Sequence, residues 1–450
     1  MDEIRVAPVS AHSCFPPSHF PSPTLMPLNL LYDARPLTDP NSGGVRRVAG
    51  MILEAILASD LDVTVACVTT GIKKPALPEP FASHPRITHT HIRIPNKIWS
   101  LLAMMGVVSL DRIAKGQGKR VMDQGSDSLT PDPCPLTHVA LLPNLGFTGF
   151  IEIPYALVLH DLSFLIEPRW FPWKTRFWHI AVNPKETARR AEIIFCVSET
   201  TARDAERLLT IPREKIRVFA PGIPSLTVQG SGVRGQGSDS LTHDPCPLTQ
   251  PYVLAFDKGD SRKNAATAIA AVEILRRDDA FKNMQLVLVG SATPSASNEA
   301  IKQSNNEAME PWSDQNILRS VRTSGGAAIK QSNHHASDDV LIRVPRPSDA
   351  ELASLYQHAS AFLYPSWYEG YGLPLHEAAR YGTPCIASTM GALPETAPQG
   401  TIFAPPSKPH LWASMIRDVL AAPDRYRTTF DESIVKTDVS DIVEWVKRVG

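Results

Sequence analysis

Short apolar runs alternate with helical periods along this chain, in two successive series. The first series predicts a strand at Leu28–Asp33, a helix at Val45–Ala58 and strands at Val63–Thr69, Ala156–Leu159 and Ile193–Val197. Ser198 is expected to cap a helix over Glu199–Leu209. The second series predicts strands at Tyr252–Phe256, Leu286–Val289, Val340–Val344, Ala361–Tyr364 and Pro384–Ser388. Its helices are expected at Ala265–Arg276, Asp349–Ala359 and Pro374–Tyr381. Strands that read as continuous apolar runs are buried on both faces, so they belong to parallel sheets covered by crossover helices. The expected fold class is α/β, with two doubly wound Rossmann-like domains and an interdomain cleft. Ligands of such sheets bind beyond the carboxyl ends of the strands. Function is therefore sought in the residues just after each strand.

A length of 450 residues is enough for two or three cores. The expected order is a disordered extension over 1–25, an N-terminal domain over 26–222, a linker over 223–250, a C-terminal domain over 251–425 and a tail over 426–450 that packs back on the N-terminal domain. The extension is rich in proline (Pro16, Pro17, Pro21, Pro23), which argues against a packed element. Residues 124–137 return as 236–249 with only Pro131 against His243 changed, and Ala300–Asn305 returns as Ala328–Asn333. These copies are polar and lack the apolar face and fixed period of a stacking repeat. The ranges 115–138, 229–250 and 291–338 are read as insertions in surface loops, where added length costs little.

The net charge of −1 gives no field to attract nucleic acid. The six cysteines show no metal-ligand spacing and no disulfide framework, which fits a cytoplasmic protein. The start lacks the basic and apolar regions of a secretory signal. The longest apolar run, near Ile98–Leu110, is too short to cross a bilayer.

The stretch Tyr364-Pro365-Ser366-Trp367-Tyr368-Glu369-Gly370-Tyr371-Gly372-Leu373-Pro374-Leu375-His376-Glu377 places two carboxylates on either side of a turn. Two glycines after Glu369 allow a tight turn and close approach to a ligand. Pro374 suits the first turn of a helix and Gly382 its end. Glu369 then lies in a loop aimed at a helix N-terminus, an anion-attracting position, and Glu377 lies one turn inside the helix. A capped surface helix with ordinary acidic residues is the other reading of the spacing alone.

This motif resembles the donor site of the retaining glycosyltransferases of GT-B family 4, with Tyr371 in place of the usual Phe. The resemblance implies that Glu369, with Gly370, Tyr371, Gly372 and Leu373, holds the transferred sugar, and that Glu377 holds the nucleotide ribose. It implies that Gly43 and Gly44, which open the helix after the first strand, lie against the donor diphosphate and the acceptor. Arg46 and Arg47 follow them and are expected to meet an anionic acceptor. His160, at the end of strand Ala156–Leu159, matches the histidine that contacts the transferred sugar, with Asp161 in support. Arg262 and Lys263 match the step that binds the diphosphate. A basic pair at a helix start opposes the macrodipole unless an anion sits there, which favours the same role. Asp257 stands where the family usually has Gly, and would repel the diphosphate unless turned away or paired with Lys258 or Arg262. Glu395, in Gly391-Ala392-Leu393-Pro394-Glu395, is read as structural.

The expected reaction is metal-independent transfer of a hexosyl unit, mannosyl or glucosyl, to an acceptor hydroxyl, with no cofactor beyond the nucleotide-diphosphate sugar donor. The acceptor is expected to be a sugar or glycolipid, in polysaccharide, lipopolysaccharide or glycolipid synthesis. The aromatic and basic stretch Arg169–Trp178 is read as core packing, with sugar stacking or peripheral contact with the inner face of the membrane as its functional alternatives. Two other functions compete: a different GT-B enzyme such as an epimerase, and a decayed sugar-nucleotide-binding protein.

Overall fold

The computed structural model describes residues 28–39, 42–114, 138–223, 248, 250–257, 259–290, 321–323, 340–435 and 437–449. The extension over 1–25 and most of the three insertions lie outside these residues. The N-terminal sheet contains β1 (Leu28–Asp33), β2 (Val63–Thr70), β3 (Ile87–Ile92), β4 (Val139–Leu142), β5 (Tyr155–Leu159), β6 (Ile193–Cys196) and β7 (Ile216–Val218). The second contains β8 (Tyr252–Asp257), β9 (Gln285–Gly290), β10 (Val321–Thr323), β11 (Leu341–Val344), β12 (Ala361–Tyr364), β13 (Cys385–Ser388) and β14 (Ile402–Ala404). All pairings are parallel, in the orders β3-β2-β1-β4-β5-β6-β7 and β10-β11-β9-β8-β12-β13-β14. In each sheet the order reverses beside the first strand, β1 against β4 and β8 against β12. That reversal opens the crevice where doubly wound sheets bind ligands.

β10 falls inside 291–338, so that range is not all surface insertion: three of its residues pair with β11. The helix expected from Val45 begins two residues earlier, spanning Gly43–Ala58, which puts both glycines in its first turn. Beyond Ser198, whose hydroxyl accepts from Thr201 N–H, the regular helix covers only Glu199–Asp204 before a wider turn over Ala205–Leu209.

Each sheet is covered on both faces. On one face of the N-terminal sheet, helix Gly43–Ala58 buries Ile52, Leu53 and Ile56 beside Leu30 and Val65. Helix Ser440–Val449, from the far end of the chain, packs into the same core through Ile442, Trp445 and Val446. The chain thus crosses between domains twice. The two crossings touch where Ile223 N–H donates to Ile434 O at 2.9 Å and Gly222 N–H donates to Thr437 Oγ1 at 2.9 Å.

Candidate functional site

The ends of β5, β8 and β12 meet across the cleft. The turn after β8 is a short 3₁₀ segment, Ser261–Lys263, closed by Asn264 in the left-handed conformation at φ 53°. The Asn264 amide donates to Pro365 O at 3.0 Å and Pro406 O at 2.9 Å. Trp367 N–H donates to Arg262 O at 2.8 Å. These bonds bind the turn to the loops after β12 and β14 and aim Arg262 and Lys263 into the cleft.

Lys263 and Arg262 precede helix Ala265–Leu275 rather than opening it, and carboxylates already match their charge. Lys263 Nζ lies 2.6 Å from Glu369 Oε1 and donates to Tyr364 OH at 3.0 Å. Arg262 Nη1 lies 2.7 Å from Asp161 Oδ2, in the other domain, and its Nε lies 3.2 Å from Asp260 Oδ2. Protein carboxylates thus already balance the basic pair, so its position does not by itself require a bound anion. Burial raises the Glu369 pKa, but Lys263 and Arg262 outweigh it and hold the carboxyl below its usual range. Asp161 follows the same balance: burial raises it, Arg262 and Ser163 lower it, and the result is about 2. Both acids are ionised at neutral pH.

His160 is half-buried, and Pro143 O lies 2.8 Å from its Nε2. A carbonyl can only accept, so Nε2 carries the proton and Nδ1 of the neutral ring is an acceptor. Burial lowers the His160 pKa and keeps that neutral form.

Glu369 leads into the glycine turn. Gly372 has φ +96° and precedes helix Leu373–Arg380, with Pro374 in its first turn and Gly382, at φ +68°, beyond its end. Glu377 is 4% exposed. Its Oε2 accepts from Tyr356 OH at 3.0 Å, and its Oε1 accepts from Arg47. Gly44 lies against Leu373, whose Cδ1 would be 3.5 Å from a Cβ on that glycine. Of the expected site residues, the structure thus places Gly44, which follows Gly43 in the first turn of its helix, against the start of helix Leu373–Arg380. It places His160, Arg262, Lys263, Glu369 and Gly370 around one point of the cleft.

Asp257 does not pair with Arg262, one of the two partners considered from sequence. Arg343, on β11, meets its Oδ2 at 2.9 Å, and Gly259 N–H donates to its Oδ1 at 3.0 Å; Lys258 lies outside the described residues. The carboxylate is buried and neutralised behind the site. A charged residue within the apolar run Leu341-Ile342-Arg343-Val344 was the signal for this pair. Arg47, expected from sequence to meet an anionic acceptor, is bound to Glu377. Glu395 accepts from the N–H groups of Glu199 at 2.6 Å and Thr200 at 2.9 Å, so it caps a helix of the opposite domain. Tyr368 OH donates to the buried Asp204, also across the cleft. A cavity of ≈ 610 Å³ lies on the side of the crossings, lined by Tyr371, His376, Glu395 and Asp431 among others, and holds none of the charged pairs above.

Residues 251–422 match the family model described as Glycosyl transferases group 1, and residues 42–225 match the one described as Glycosyltransferase Family 4. The chain belongs to this family. A similar protein is the O-antigen chain mannosyltransferase B of Escherichia coli, 25% identical over 258 residues, covering 55% of this chain and 56% of that one. The MMP alpha-(1->4)-mannosyltransferase of Mycolicibacterium hassiacum is 52% identical over 272 residues, covering 60% and 55%. The chain therefore spans little more than half the length of these relatives. Among solved structures, Anabaena HepE in complex with UDP and glucose superposes with a TM-score of 0.56 at 15% identity, over 93% of this chain and 98% of that one. That likeness supports the two-domain GT-B fold.

Proposed function

We propose that the protein transfers a hexosyl unit, a mannosyl unit first among the candidates, from a nucleotide-diphosphate sugar to an acceptor hydroxyl with retained configuration. The observation that carries this reading is the Lys263–Glu369 pair at 2.6 Å, with Arg262 beside it and His160 facing from the other domain. The relatives named as mannosyltransferases favour mannose, and UDP in the Anabaena protein favours a nucleoside diphosphate.

In the reaction, negative charge grows on the departing diphosphate. Arg262 and Lys263 sit in a partly dehydrated cleft where fixed cations are effective. Phosphate oxygens arriving at Lys263 free Glu369 to accept hydroxyl protons from the sugar. His160 Nδ1 offers a second acceptor. Glu377 receives the ribose hydroxyls. Closure of the domains keeps water from taking the glycosyl unit.

The acceptor belongs to polysaccharide, lipopolysaccharide or glycolipid assembly. Helix Trp173–Ala181 buries none of its residues, and Trp173 is 72% exposed, Phe177 65% and Ile180 76%. The stretch is thus not core, and with Lys174 and Arg176 on the same helix it suits a glycolipid acceptor or an anionic membrane face. Among the described residues no helix is long and apolar enough to cross a membrane.

The test is incubation of the purified protein with a panel of nucleotide sugars, following slow donor hydrolysis and transfer. Glu369→Ala and Lys263→Ala are each expected to lower turnover by about a hundredfold or more. Full activity in either variant would sink the assignment. Nucleotide binding with no turnover on any donor would favour a binding protein instead.

A further inference from the structure

Arg47 belongs to the N-terminal domain, yet its guanidinium rests on the carboxylate that the reading above gives to the donor ribose. Nη1 donates to Glu377 Oε1, and Nη2 lies 3.2 Å from Asp349 Oδ1. Tyr356 OH fills the other oxygen of Glu377 at 3.0 Å. The two acids differ sharply: the Glu377 side chain is 4% exposed, that of Asp349 60%. Both Glu377 oxygens thus have protein donors before any ligand arrives. A ribose diol binds a carboxylate by donating hydroxyl protons, the same role that Arg47 fills. Withdrawing Arg47 alone would leave a buried carboxylate short of a partner, which is unfavourable. The exchange is therefore coupled: hydroxyl donors arrive as the guanidinium leaves. Asp349, already within reach of the same fork, gives the departing cation a solvated partner.

We infer that Arg47 competes with the donor ribose for Glu377 and swings onto Asp349 when nucleotide binds, so that this residue sets donor affinity. The inference rests on the transferase reading, in which Glu377 is the ribose ligand. Because Gly44 packs on Leu373, the Arg47–Glu377 bond also fastens the N-terminal part of helix Gly43–Ala58 to that of helix Leu373–Arg380. The donor then gains its carboxylate only by loosening this fastening.

Calorimetric titration of UDP and GDP into the full chain, at one fixed salt concentration, tests this with two variants of opposite expected sign. Arg47→Ala frees Glu377 and is expected to bind the preferred nucleotide about fivefold tighter than wild type. Asp349→Asn removes the alternative partner and is expected to bind about twofold weaker. The Arg47→Ala gain should vanish with the 2′,3′-dideoxy nucleotide, which lacks the hydroxyls that take the carboxylate. Weaker or unchanged binding by Arg47→Ala overturns the inference and would mean that Arg47 contacts the nucleotide itself. Unchanged binding by Asp349→Asn, a surface change with little risk to folding, also overturns it. If neither nucleotide binds wild type or Arg47→Ala, the transferase reading falls, and this inference with it.

Discussion

Gly370 seats directly on the backbone of His160: a Cβ at that glycine would lie 1.7 Å from the His160 carbonyl oxygen. The two residues come from different domains, so the contact measures how closely the halves of the site approach. The restriction is steric and external, since any heavier side chain at Gly370 must push the domains apart.

Gly370→Ala is accordingly expected to leave each domain folded but to prevent full seating. A displacement on the order of 1 Å between reacting groups lowers turnover by about a hundredfold. Transfer rate and small-angle scattering should change together, with the circular dichroism spectrum preserved. Wild-type turnover would show that closure does not need this contact.

Glu395 joins the domains by a different means, capping helix Glu199–Asp204 from across the cleft. Removing an N-cap acceptor costs about 1 kcal/mol, and Ser198 retains its own bond to Thr201. Glu395→Ala is therefore expected to lower stability by about that amount in denaturant titration while donor hydrolysis survives. Loss of hydrolysis comparable to Glu369→Ala would give Glu395 a catalytic part.

His376 points to a pH dependence. Its ring is 4% exposed and stacks on Tyr371 with centroids 5.2 Å apart. Neither ring nitrogen makes a well-formed hydrogen bond, with the Thr396 backbone and Asp431 nearby. Burial lowers its pKa from 6.5 to about 4. The folded state therefore holds the neutral ring, while the unfolded state takes up a proton below pH 6.5. Stability is full above that value and declines as pH falls towards 4, by up to about 3 kcal/mol from this residue. Denaturant midpoints measured from pH 7 to pH 4 should fall less steeply for His376→Gln. An unchanged slope would mean that the ring is solvated.

Trp445 anchors the second crossing. It is 2% exposed and sits in the core beneath helix Gly43–Ala58. Trp445→Ala is expected to cost about 3–5 kcal/mol and to expose residues 426–439 to protease. Resistance equal to wild type would show that the last helix is held by its other contacts.

The strands that carry the site were legible because they are apolar runs bounded by turn residues, as at Leu28–Asp33 and Ala361–Tyr364. The polar Ile87-Thr88-His89-Thr90-His91-Ile92 of β3 was not, because an edge strand need not be apolar. β7 and β14 are three residues long, too short to show a period. The glycine turn between Glu369 and Glu377 was legible since its conformation is written in residue types: a left-handed Gly372 and a proline in the first helical turn.

The sequence by itself therefore determined two parallel sheets, their strand-end loops and the chemical kinds gathered there. It could not determine who neutralises whom. Asp257 finds Arg343 86 residues away, Arg262 finds Asp161 101 away and Arg47 finds Glu377 330 away. Charges attract without regard to spacing along the chain, so local pattern names the candidates but not the pairs. Only the packing of one domain against the other brings those groups within hydrogen-bond distance, and that approach turns a set of strand ends into a site.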